Sequence, residues 1–177
     1  DLVSDDDPTL DMPSGSVDFV NCNGVLHHVS HPERVLAELR RVLRPGGTAQ
    51  VMVYNRSSLW WHLYVPWHLQ VEQGIDAELS IEAAFRRSTD GPDCPISRAW
   101  SPEDFTALAE AAGFAVEFAG GYFNLPELAL WRRCGALTDP RLAEEHRAFL
   151  AALTADDYPR YRGKYAGAGG VYRMAAA

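Results

Sequence analysis

Lysine and cysteine are scarce in this 177-residue chain, and long apolar runs are missing. Lys164 is the single lysine, so nearly all positive charge is arginine. Sixteen basic residues stand against twenty-four acidic ones, a formal net charge of −8. That balance argues against nucleic acid as a partner, because a phosphate backbone demands clustered Lys and Arg. Three cysteines (Cys22, Cys94, Cys134) are odd in number, widely spaced and without a CxxC pair. A disulfide framework and a zinc ribbon are therefore not expected, and a reducing, cytoplasmic setting is. No run approaches the ~18 apolar residues of a membrane span, and no basic-then-apolar leader opens the sequence. The chain begins at Asp1 in an acidic stretch rather than at Met, which reads as the middle of a protein. Disorder is excluded for the bulk, since 47% hydrophobic and 23% charged residues are ordinary globular usage.

What is present is a short, regular pattern. Val17–Cys22 is β-branched and aromatic after the turn signal Pro13-Ser14-Gly15, and reads as a buried strand. Asn23-Gly24 is a strand-to-helix junction. Ser30-His31-Pro32-Glu33 reads as a capping box with Pro at the first turn. Val35, Leu36, Leu39, Val42 and Leu43 then form one apolar stripe, ending at Pro45-Gly46-Gly47. Thr48–Tyr54 is a second strand. Strand, helix and strand within residues 17–54 make a βαβ unit, which implies parallel pairing. Farther on, Ser58–Trp100 is an aromatic-rich helical piece followed by a Pro/Gly/Asp loop over Ser88–Arg98. Ser101-Pro102-Glu103-Asp104 opens a second capped helix to Gly113. Phe114–Ala119 is a strand, Pro126–Leu153 is helical with a break at Asp139-Pro140, and Gly170–Ala175 is a last short strand. No repeat or low-complexity tract is present.

The stretch LDMPSGSVDFVNCNGVLHH (Leu10–His28) and the later RVLRPGG (Arg41–Gly47) resemble class I S-adenosylmethionine-dependent methyltransferases, of the small-molecule, type 11-like branch. The resemblance is specific over residues 10–54 and fair over 101–119. It implies an α/β, Rossmann-like and mostly parallel sheet, with these strands fourth and fifth of seven. The implied organisation is one partial domain: core 10–57 and 101–124, a lid insertion 58–100 and a helical region 125–163. The family's Gly-rich cofactor turn has no counterpart in the sequence. Gly167-Ala168-Gly169-Gly170 does not replace it, since a lone glycine cluster is weak evidence. The chain therefore reads as the carboxyl-terminal portion of such an enzyme.

The site residues follow from this register. Asp6 would accept a hydrogen bond from the adenine amino group, or is simply part of a solvated acidic loop. Cys22, Asn23 and Gly24 would hold the cofactor's amino-acid end, or form a turn that needs Asn and Gly. His28 would act as general base or orient the acceptor, because imidazole titrates near neutrality; its plain alternative is a backbone-bonded histidine at the start of a helix. His27-His28-x-x-His31 does not predict a metal, since adjacent histidines point apart and no partner motif exists. Asn55–Ser58 is a candidate acceptor wall. Asp90 and Arg98 are either a structural ion pair or substrate contacts. The Trp60–Trp67 aromatics favour core packing over a binding platform, and the basic-aromatic Tyr158–Tyr172 favours a solvated edge over nucleic-acid stacking. The implied function is methyl transfer from S-adenosyl-L-methionine to a small-molecule acceptor at O, N or C. The rivals are a degenerate or truncated Rossmann-like module without activity and, more weakly, a dinucleotide-binding fragment.

Overall fold

The computed structural model describes residues 7–132, 135–154 and 157–176. Asp6 and Cys134 lie outside the described residues. The βαβ unit is present: β1 (Val17–Asn23), α1 (Pro32–Val42) and β2 (Leu43–Asn55). β1 and β2 pair in parallel, Phe19 beside Thr48 and Cys22 beside Val51. α1 buries Leu36, Leu39 and Val42, the stripe its periodicity marks. Its start differs from the expected capping box. His31 is the N-cap and its side chain makes no capping bond. With Pro32 at the first helical position, Glu33 stands one residue short of the third, where a box would need it; it pairs with His31 at 3.3 Å instead. Leu43 leaves the helix in an extended conformation and already pairs with Val17, so β2 begins ahead of the glycines.

A π-helix spans Trp60–Glu72 and is followed by α2 (Ile81–Asp90), which is not evident in the sequence. β3 (Ala99–Trp100) continues in parallel beside the end of β2. α3 (Pro102–Ala111) starts as read, with the Ser101 hydroxyl accepting the Asp104 amide. β4 (Phe114–Tyr122) follows. The expected helical stretch is two helices, α4 (Leu125–Trp131) and α5 (Glu144–Ala151), separated by a 3-10 turn at Ala136–Thr138. β5 (Arg160–Tyr161) and β6 (Lys164–Tyr165) form a small hairpin. β7 (Gly169–Ala176) then inserts antiparallel between β2 and β4. The sheet order is β1-β2-β7-β4, with β3 beside β2. β7 alone runs against the other four strands, so the sheet is mostly parallel, as the resemblance implies.

β1 differs from the reading in one respect. Its pattern predicts burial, but among the described residues it is an edge strand, with Cys22 buried and Phe19 55% exposed. One apolar core fills the space between the sheet and α1 and α3, through Leu36, Val51, Phe105 and Tyr172. Two further clusters join the π-helix to α4 and α5 and to α2. Glu127 ties these parts together. It is fully buried, and its carboxylate accepts the amides of Trp60, Asn124 and, at 3.4 Å, Ala168. Burial pushes its carboxyl up to about 7, against the opposing pull of those amides. The Gly167 cluster has a packing role. A Cβ on Gly121 would collide with the backbone of Gly167, and one on Gly167 with the backbone of Tyr122, so two chain segments cross in direct contact.

Candidate functional site

In open α/β sheets, ligands sit beyond the carboxyl ends of the strands. β1 ends at Asn23, which is exposed. Gly24 follows with φ +75°, a conformation that favours glycine, and its amide donates to the Met52 carbonyl at 3.2 Å. Cys22 points the other way. Its thiol is in the core and burial pushes its pKa up to about 11, so its side chain suits packing rather than nucleophilic attack.

A 3-10 turn, Leu26–His28, then places two histidines in contrasting surroundings. His27 is buried and stacks on Tyr54 with ring centroids 4.0 Å apart. Burial, with a smaller contribution from neighbouring His28, lowers its pKa to about 4. His28 keeps 36% of its side chain exposed. Its Nδ1 lies 2.9 Å from the Ile96 carbonyl, so Nδ1 carries the donated proton and Nε2 presents a lone pair. Nε2 is 3.6 Å from Asp90 Oδ1.

Asp90 is the centre of this group. Its oxygens accept the Tyr54 hydroxyl (2.8 Å), the Ser97 hydroxyl (2.7 Å) and the Thr89 hydroxyl (2.7 Å). Burial works against its charge, but those hydroxyls and His28 outweigh it and hold the carboxyl below its usual range. Burial and the Asp90 contact in turn raise the Tyr54 phenol. Arg98 does not pair with Asp90. It donates to the Ser30 carbonyl at 3.1 Å, while its main-chain amide donates to His27. The ion-pair reading of Asp90 and Arg98 is therefore replaced by a hydroxyl-bonded carboxylate and a carbonyl-anchored guanidinium.

One ligand atom from each of His28, Asp90 and Cys94 lies within 4.8 Å of the others. Asp90 sits beside Nε2, whereas the Cys94 sulfur is 3.7 Å from Nδ1. The two flank different ring nitrogens, an arrangement that hydrogen bonding already explains. His31 takes no part in this group and pairs with Glu33. The sequence singles out His28 but not its partners Tyr54, Cys94 and Ser97, which come from distant segments; no local signal marks them.

Of the expected acceptor wall, Asn55 is structural. It is buried, and its amide donates to the carbonyls of Ser57 and Gly167 at 3.0 Å each. Ser58 is also buried, and its hydroxyl accepts the Trp61 amide. Arg56 is exposed, its guanidinium 5.3 Å above the Trp61 ring. With Trp61, Ser97, Arg98 and Trp100 it lines a cleft of about 530 Å³, which Glu82 and Asp104 also border. Among the described residues, Cys22, Asn23, Gly24 and His28 do not line this cleft.

Residues 2–51 match the family described as "Methyltransferase domain". A similar structure is a SAM-dependent methyltransferase of Thermotoga maritima, described as a possible histamine N-methyltransferase. It is 20% identical with a TM-score of 0.54, over 96% of this chain and 61% of that one. YcgJ of Bacillus subtilis is 13% identical with a TM-score of 0.51, over 95% of this chain and 67% of that one. Among curated relatives, an uncharacterized 37.1 kDa protein in transposon TN4556 of Streptomyces fradiae is 54% identical over 39 residues. That match covers 22% of this chain and 11% of the relative. The chain thus has the Rossmann-like fold of class I methyltransferases. The family match lies within its N-terminal part, residues 2–51. It spans about three fifths of the length of the Thermotoga structure and about a tenth of its curated relative.

The residues at the end of β1 fit one part of S-adenosylmethionine. Asn23 offers an exposed amide, and the turn at Gly24 opens the strand end to close main-chain approach. Cys22 can contribute its main chain alone.

Proposed function

We propose that this chain is part of a cytoplasmic methyltransferase. It would move a methyl group from S-adenosyl-L-methionine to O, N or C of a small organic acceptor. The observation that carries the reading is the His28–Asp90 pair, set just beyond β1, the strand that bears the family's sequence. When bound, the cofactor supplies a methyl group already activated on a sulfonium, so positioning and exclusion of water do most of the work. Asn23, Gly24 and the main chain of Cys22 hold its polar end. Asp6 receives the adenine amino group. His28 is the catalytic residue: its Nε2 takes the proton that the acceptor gives up as it gains the methyl group. Ile96 fixes the tautomer, and Asp90 stabilises the imidazolium that results. The open edge of β1 supports the partial-domain reading, since the lone-strand edge of a sheet calls for a neighbour.

The test uses the complete protein that contains this chain. Asp6→Ala should weaken cofactor binding by ~1–3 kcal/mol, the range for a lost partner of a buried polar group. His28→Ala should lower turnover and leave cofactor affinity nearly intact. Equal losses of affinity from both changes would overturn the roles. If both the complete protein and its variants lack any methyl transfer, the non-catalytic module stands instead.

A further inference from the structure

From the 530 Å³ cleft we infer the class of acceptor: a planar aromatic molecule bearing a carboxylate, held by Arg56 and Arg98 against Trp100. The inference rests on the methyltransferase reading and deepens it. Its first support is an imbalance of pairing. In this acidic chain most described arginines lie within salt-bridge distance of a carboxylate, as Arg41 does with Glu38 and Arg162 with Glu103. Among the described residues, Arg56, Arg86, Arg98 and Arg132 are in no such pair, and of these Arg56 and Arg98 line one cleft together.

Both guanidiniums are nonetheless held in place. Arg56 lies over the Trp61 indole, and Arg98 is anchored on the Ser30 carbonyl. Each keeps N–H donors to spare, because a guanidinium carries five. Guanidiniums suit carboxylates by their planar fork. The two acids that border the cleft do not cancel them. Glu82 lies in the first turn of α2 and Asp104 in the first turn of α3, where the positive helix ends offset carboxylate charge.

An indole supplies the rest of the recognition. Trp61 is buried in the wall beneath Arg56, so the partly buried Trp100 gives the apolar surface for a flat ring. Ser97 connects this cleft to the reacting group. It lines the cleft and donates its hydroxyl to Asp90, which faces His28.

Benzoate, its neutral isostere benzamide and inorganic phosphate are the probes, each titrated by calorimetry into the 177-residue chain. Benzoate should bind saturably, and benzamide and phosphate at least about tenfold more weakly. Arg56→Gln, at an exposed residue outside the His28 group, should weaken benzoate by at least about tenfold, the loss of a charge-assisted partner. The thermal midpoint should be unchanged. Arg98→Gln should do the same; if it unfolds because the Ser30 anchor is lost, Arg56→Gln decides alone. Equal binding of benzoate and benzamide, absence of benzoate binding, or an unaffected Arg56→Gln would overturn the carboxylate. Equal binding of phosphate would overturn the aromatic body. Because no cofactor or turnover is involved, the two readings fail separately. Selective benzoate binding in a complete protein that transfers no methyl group would sink the methyltransferase alone.

Discussion

The two faces of the sheet are built from the same strands and are treated in opposite ways. On one face Cys22, Val51, Tyr172 and Met174 lie under α1 and α3 in a closed apolar core. On the other, Phe19, Thr48, Gln50 and Arg173 line an open cleft of about 340 Å³, with no helix over it among the described residues. Alternation along a strand sends successive side chains to opposite faces, so Gln50 and Val51 see different solvents one residue apart. The difference teaches where stability resides. The covered face contributes the burial that holds the fold, and the open face contributes surface that another segment or chain can cover.

Breaking the covered face should have the largest effect. Phe105→Ala, at a fully buried aromatic, should cost about 3–5 kcal/mol in denaturant unfolding. Phe19→Ala on the open face should change stability by less than about 0.5 kcal/mol. Comparable losses would mean that the open face is packed in solution.

The second effect comes from Glu127, whose folded pKa of about 7 stands above its ordinary 4.5. The folded state therefore holds a proton that the unfolded state releases between these values. This stabilisation is fully present below about pH 4.5 and is lost as pH rises toward 7. Partly buried His62 has the opposite sign. Burial, then neighbouring His146, lowers its pKa to about 3, so its contribution is lost as pH falls below its ordinary 6.5. Subtracting the unfolding free energies of Glu127→Gln from those of the unaltered chain isolates the carboxyl. The unaltered chain should lose on the order of 2–3 kcal/mol relative to the variant between pH 4.5 and 7. A flat difference would show that Glu127 is solvated.

The smaller effects sharpen the role of the β1 edge. Calorimetry should show that this chain alone binds S-adenosylmethionine poorly, because contacts worth ~1 kcal/mol or more each must come from elsewhere. A micromolar dissociation constant with a well-folded monomer would show that the cofactor site is misplaced. Light scattering should show self-association, since an exposed apolar edge templates pairing. Phe19→Lys should reduce it. Unchanged association would move the contact to another surface.

Local pattern made much of this legible. The βαβ unit could be read because the stripe of Leu36, Leu39 and Val42 and the alternation in β2 repeat at the periods their elements impose. The cap of α1 lies one residue beyond Ser30, at His31, because both residues precede Pro32 and pattern alone favours the serine. α2 was hidden in a tract where its short apolar face, Ala84 and Phe85, sits among polar residues. His28 could be nominated from its register, whereas the hydroxyls around Asp90 depend on how the Ser88–Arg98 segment folds back over Tyr54. That approach is set by tertiary packing, which leaves no periodic trace.

The position of β7 also sets an order of events. It is the latest of the described strands in the sequence, yet it lies between β2 and β4 and pairs with both. A growing chain emerges with β2 and β4 waiting on either side of a gap. Their hydrogen-bonding edges and the apolar side chains beneath them stay unprotected until Tyr172 and Met174 arrive. Pairings this distant in sequence are slow to form, and the interval exposes the nascent chain to misassociation. Synthesis of β7 is thus the committing step for the sheet among the described residues, and a chaperone that shelters β2 and β4 would act before that step and have no purchase after it.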